Sequence, residues 1–145
     1  MNLTVPTNVP SGDRRTIRVD FTPARPSTVP AVLLGAARIL QANGLWQGDY
    51  VPDVRDREMC VPHFLRPMSI VAAIRCAATG DPHKESQLAD TAIGYVALSL
   101  DPAPKYGGIF DLEKIVEAWN DAAGRSADEA VALLEELATA PERVA

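Results

Sequence analysis

Along most of the chain, apolar residues recur every three to four positions, the spacing that gathers them on one stripe of an α-helix. "TVPAVLLGAARILQANG" puts Val32, Ala36, Ile39 and Leu40 on one face, opens near Thr28 with Pro30 in its first turn, and stops at Asn43-Gly44. "SIVAAIRCAATG" is apolar almost all round, with Ser69 as N-cap and Gly80 as its stop, which predicts a central helix. A third helix is predicted to start at Asp81-Pro82 and run to about Leu100, with Leu88, Ala92, Tyr95, Val96 and Ser99 near one face. Gly94 inside it costs ~1 kcal/mol against alanine and so predicts the close approach of another helix. After "DPAPKYGG", Asp111 is predicted to cap a fourth helix, where Leu112, Ile115, Val116 and Trp119 fall at i, i+3, i+4 and i+7. Ser126 and Glu129 form the S-x-x-E capping box of a fifth, whose apolar stripe is Ala130, Val131, Leu133, Leu134, Leu137 and Ala138 and which Pro141 ends.

Two segments break this rhythm. Five of the twelve prolines fall in the first thirty residues, and within that stretch "TIRVDFT" alternates Ile17, Val19 and Phe21 with polar neighbours, the signature of a strand. "LWQGDYVPDVRDREMCVPHFLRP" is a long loop carrying aromatics and three prolines, and long loops in small domains are often functional. The fold class predicted is therefore an all-α bundle of about five helices with an extended N-terminal arm: residues 1–27 form the arm, with one short strand near 16–22, and residues 28–140 the helical domain.

At 145 residues the chain is the size of one domain, which buries roughly two-thirds of its unfolded surface and needs no staple. Its net charge of −5 argues against nucleic acid as a partner, since that binding rests on neutralising phosphates. The charge is uneven: Arg14, Arg15, Arg18 and Arg25 against Asp13 and Asp20 give the first thirty residues +2, leaving −7 for the rest. An amphipathic strand on a helical body has little to pair with internally, so the arm is expected to pack across a second copy in a homodimer, its arginines meeting Glu135 and Glu136. No apolar run reaches the ~20 residues of a membrane span, and the first residues lack the basic head and apolar stretch of a secretory signal. With two cysteines, Cys60 and Cys76, too few for a disulfide framework, a cytoplasmic location is expected.

Three places carry candidate chemistry. In "WNDAAGRSADEA", Ser126 and Gly124 have the types a helix hinge needs, and Asn120 suits the closing turn of the fourth helix. Asp121 stands against the negative end of that helix, which a pairing with Arg125 would relieve. Cys60, His63, Cys76 and His83 are metal-ligand types, but they lack the second close pair of a structural zinc site, so no metal is expected. The aromatic loop offers Trp46, Gln47, Asp49 and Tyr50, whose apolar bodies and polar tips suit a pocket, a partner surface, or a cover over the helical core. No phosphate loop, nucleophile elbow or histidine-containing triad is present, so no catalytic residue and no cofactor are assigned, and the balance leans away from an enzyme.

Trp46, Gln47 and Gly48 in "GLWQGDY", the "SIVAAI" helix, and Trp119, Asn120, Asp121, Arg125 and Ser126 in "AWNDAAGRSADEAVALLEEL" together resemble a family of small actinobacterial and phage proteins known as a domain of unknown function. The resemblance covers residues 31–137 and leaves the arm outside. Where that family often has a cysteine at the start of the central helix this chain has Ser69, and Ala72 stands where the helix has glycine, which counts against a shared thiol chemistry. Such a family implies helix boundaries and no reaction. The leading functional expectation is a non-catalytic interaction or regulatory protein acting through protein contacts. The alternative is a small enzyme or small-molecule-binding protein with a pocket between loop 46–50 and hinge 119–121, lined by Trp46, Gln47, Asp49, Tyr50, Trp119, Asn120, Asp121 and Arg125. A polar cavity closed by the loop favours the second, a flat surface the first.

Overall fold

The computed structural model describes residues 25–51 and 66–140, and the helical pattern resolves there into five α-helices. The predicted strand at 16–22, Cys60, His63 and Pro141 lie outside the described residues, as does most of the arm on which the homodimer expectation rests. Helix α1 (Val29–Asn43) starts where expected, because Thr28 is extended and its Oγ1 accepts the Ala31 N–H at 3.3 Å. Helix α2 (Ile70–Thr79) has Ser69 as its cap, with Oγ accepting from Ala72 N at 3.1 Å, and ends at a left-handed Gly80 with φ 90°. In α5 (Ala127–Thr139) the capping box is complete: Ser126 Oγ accepts from Glu129 N, and the Glu129 carboxylate accepts from Ser126 N at 2.9 Å.

Two helix starts differ from the expectation. Helix α3 spans Gln87–Leu100 and is capped by Ser86, whose Oγ accepts from Ala89 N at 3.0 Å. Asp81 closes a separate turn by accepting the His83 N–H at 2.9 Å, so Asp81-Pro82 precedes the helix without starting it. Helix α4 spans Ile109–Asn120 and opens at Gly108 with no side-chain cap; Asp111 stands inside its first turn. A carboxylate there still favours the positive end of the helix, which is why the residue type reads as a cap while sitting three positions late.

The core gathers around α2, whose residues from Ile70 to Cys76 are all buried. Helix α1 packs against α5 and α2, and α3 against α4. Val32, Leu33, Ala36, Ala37 and Leu40 of α1, Ala92, Ile93, Val96 and Ala97 of α3, Val116 of α4, and Ala130, Val131 and Leu134 of α5 complete it. A short tie precedes α2: Leu45 and Met68 form a parallel bridge, with Trp46 N donating to Met68 O at 3.0 Å. Next to it Ser69 N donates to Tyr50 O at 2.8 Å, so the stretch after α1 runs beside the lead-in to α2.

The tightest helix approach is elsewhere than expected. A Cβ added at Gly94 would meet Leu112 Cδ1 at 3.5 Å, ordinary contact, whereas one at Gly35 would meet the Ala77 Cβ at 3.1 Å. The α1–α2 crossing, not α3–α4, needs its glycine. Gly35→Leu should therefore cost about 1–3 kcal/mol by overpacking, while Gly94→Ala should gain up to about 1 kcal/mol of helix propensity; urea unfolding of the two variants checks both signs.

Candidate functional site at the loop and hinge

The sequence places the Trp-Gln-Gly-Asp-Tyr loop and the Trp-Asn-Asp hinge more than 70 positions apart, and the fold brings them into one hydrogen-bonded seam. At its centre is Asn120, the last residue of α4 and only 1% exposed. Its Oδ1 accepts from Ile70 N at 2.9 Å, a first-turn donor of α2 that has no partner within its own helix. Its Nδ2 donates to Trp46 O at 3.0 Å and to Asp121 Oδ1 at 2.9 Å. One carboxamide thus ties together the loop, the start of α2 and the end of α4.

Gln47 works from the opposite side. Its Nε2 donates to the Asn120 and Ala122 carbonyls at 3.0 and 2.8 Å, closing carbonyls at the C-terminal end of α4 that helix geometry leaves open. Gly48, with φ 97°, donates its N–H to Asp121 Oδ1 at 2.9 Å. Asp121 is thereby held at an unfavourable helix end by two donors, and not by Arg125 as expected. Arg125 is drawn elsewhere: its guanidinium lies 3.7 Å above the Trp119 ring, its Nε donates to Trp119 O at 2.9 Å, and Nη1 is 3.8 Å from Glu129. Trp46 joins the seam through its backbone, while its side chain is 37% exposed.

Beneath the loop lies a buried network that sequence reasoning missed. The Tyr50 hydroxyl donates to Glu113, and Glu113 also pairs with Arg75 at 3.3 Å, both side chains being almost fully buried. Arg75 in turn stands 5.4 Å from the centre of the Tyr50 ring. Burial, with the bond to Glu113, pushes the Tyr50 hydroxyl from 10.0 up to about 12, so it stays a donor throughout the neutral range. The signal available in the sequence was Arg75 itself, a charge inside an otherwise apolar helix that must find a partner.

Between loop and hinge opens a cleft of about 280 Å³ lined by Gly48, Asp49, Tyr50, Ser69, Glu117, Asn120 and Asp121. Trp46, Gln47, Trp119 and Arg125, expected to line it, instead build its surroundings. Glu117, unnamed by the sequence reading, does line it, and its spacing of four from both Glu113 and Asp121 on α4 is a face the sequence could have shown. Burial raises the Glu117 carboxyl above its ordinary 4.5, and repulsion from Glu113, Asp121 and Asp49 adds to this against the relief of Arg75. Among the described residues no group of three or more acidic, histidine or cysteine side chains could hold a metal ion.

Two variants test this geometry. Asn120→Ala leaves the Ile70 N–H and the Trp46 carbonyl unpaired in a buried setting and should cost about 3 kcal/mol or more; Asn120→Asp keeps the acceptor, loses the donor, and should also destabilise, as thermal unfolding will register. For Glu117 the raised value means that the folded state holds the proton more tightly than the unfolded one, so ionised Glu117 weakens the fold above that value. Glu117→Gln should therefore stabilise at pH 7, with the gain vanishing as pH falls below the ordinary 4.5, in urea titrations run at both ends. Comparison with curated proteins and with solved structures gives no match for this chain. The model of a family of unknown function, DUF6197, matches residues 24–140, enclosing all five helices, the loop and the hinge, and the chain belongs to that family.

Proposed function

We propose that the protein binds a small molecule in the cleft between loop 46–50 and hinge 119–121. The observation that carries this reading is the cleft itself: it is concave, polar, walled by the loop, and close to the lower end of the ~300–1,000 Å³ range of small-molecule sites. Its walls are preorganised, since Gly48 and Asp121 are bonded to each other and Tyr50 to Glu113. Among the described lining residues no nucleophile is paired with a base, so binding without turnover is the reading that fits.

The interaction reading draws on other surfaces. The described part of the molecule exposes Leu98, Tyr106 and Phe110 about the turn from α3 to α4, the last 70% exposed. Among the described residues no helix is long and apolar enough to cross a membrane.

One experiment separates the two. A fragment library of mixed charge, screened by amide NMR, should shift Gly48, Asp49 and Tyr50 while light scattering reports a monomer. No shift at the cleft, together with a dimer that dissociates when residues 1–26 are deleted, would instead support contacts between copies as the function.

A further inference from the structure

Resting on the cleft proposed above as the binding site, we infer that its ligand is an organic cation, an aliphatic amine carrying two ammonium groups. The argument begins with hydrogen-bond capacity. Most described polar donors at the cleft are already committed, with the Ser69 hydroxyl hydrogen left open. The Gly48 N–H goes to Asp121, the Tyr50 hydroxyl to Glu113, and the Asn120 carboxamide to Trp46 and Asp121. The Ser69 N–H goes to Tyr50 O, while Ser69 Oγ faces the Ala72 N–H as the cap of α2.

What remains is mainly acceptor capacity. Asp49 uses one oxygen on the Tyr50 N–H at 2.8 Å, and Asp121 uses one on Gly48 and Asn120. Glu117 adds a third carboxylate to the lining. A ligand entering such a site satisfies it by donating, and each ammonium offers three donors with a positive charge.

Charge points the same way. Among the described residues no basic side chain lines the cleft. Arg75 is held in its ion pair with Glu113, and Arg125 is turned onto Trp119 and Glu129. Three carboxylates therefore share a half-enclosed space with no positive partner among its described wall residues, and like charges so placed repel.

Geometry then separates an extended cation from a single ion. The acidic groups do not converge as a set that could hold one metal ion. Glu117 and Asp121 stand one helical turn apart, a rise of about 6 Å for four residues, with Asp49 opposite them on the loop. Two ammonium groups joined by a short methylene chain can meet both ends of that row, which one point charge cannot.

The test is calorimetric titration of the full chain with 1,4-diaminobutane, butylamine and magnesium chloride at matched ionic strength. The diamine should bind several-fold more tightly than the monoamine, and magnesium should not displace it. Glu117→Gln and Asp49→Asn should each weaken the diamine several-fold while leaving the helical circular dichroism and cooperative melt in place, since an amide oxygen at position 49 can still accept from Tyr50 N. The inference is overturned if the diamine does not bind, if magnesium competes with it on equal terms, or if the doubly substituted chain binds it unchanged. Should a neutral or anionic fragment shift Gly48 and Tyr50 while amines do not bind, the cleft stands as a binding site and only its cationic ligand is refuted. Should no compound of any charge reach those amides, both fall together.

Discussion

The Asn120 side chain is the interaction on which the rest of the arrangement depends. Helix ends leave donors and carbonyls without partners, and burying them uncompensated costs free energy. Here the C-terminus of α4 meets the N-terminus of α2 in the interior, and one carboxamide answers both an open N–H and the carbonyl of the crossing loop. A carboxylate or a hydroxyl in that place could not present an acceptor to Ile70 and donors to Trp46 and Asp121 together. Gln47 repeats the device in reverse, reaching from the loop to two carbonyls at the end of α4. The loop is thus fastened at each side by a side-chain amide, Asn120 through both its ends and Gln47 through its Nε2.

The buried Arg75–Glu113–Tyr50 network takes over where the amides stop. A buried ion pair rarely adds net stability over apolar packing, because both charges must leave water. Its effect is directional instead: Glu113 can satisfy Arg75 and Tyr50 together only when the loop lies against α2 and α4. The loop is therefore positioned from below by charge and from the side by hydrogen bonds. That double fastening makes the cleft wall a fixed surface.

How much of this could be read in the sequence follows from how local each cause is. Ser69 and Ser126 were legible as caps because their partners lie three residues away in the chain. Asp81 and Asp111 misled for a related reason: the same carboxylate suits a turn, a cap or a first helical turn, and nearby sequence does not choose among them. Gly35 went unnoticed and Gly94 was overvalued because the pressure on a glycine comes from the helix opposite, which periodicity does not identify. For the site, the residue types of loop and hinge were visible and their meeting was not, since Gly48 and Asp121 are 73 positions apart. The strand and the metal-ligand types at 60 and 63 fall outside the described residues.

The division of labour within the seam bears on what it is for. Most of the residues that mark the family resemblance are accounted for by the seam itself: Gln47, Asn120, Arg125 and Ser126 close helix ends, and Gly48 holds the Asp121 carboxylate. A junction needing stability alone would end there, with neutral side chains facing the space beside it. Instead Glu117 stands in the last turn of α4 and Asp121 at its C-cap, where the helix dipole already disfavours negative charge, and Asp49 faces them from the loop. Nothing in the packing requires Glu117 to be ionisable, and a neutral isostere there relieves repulsion without opening a void. Local arrangements that work against the fold's own stability concentrate at functional sites. On the proposed reading, the acids of the cleft are the part that meets a ligand, and the amides that hold it open are the structural frame around them.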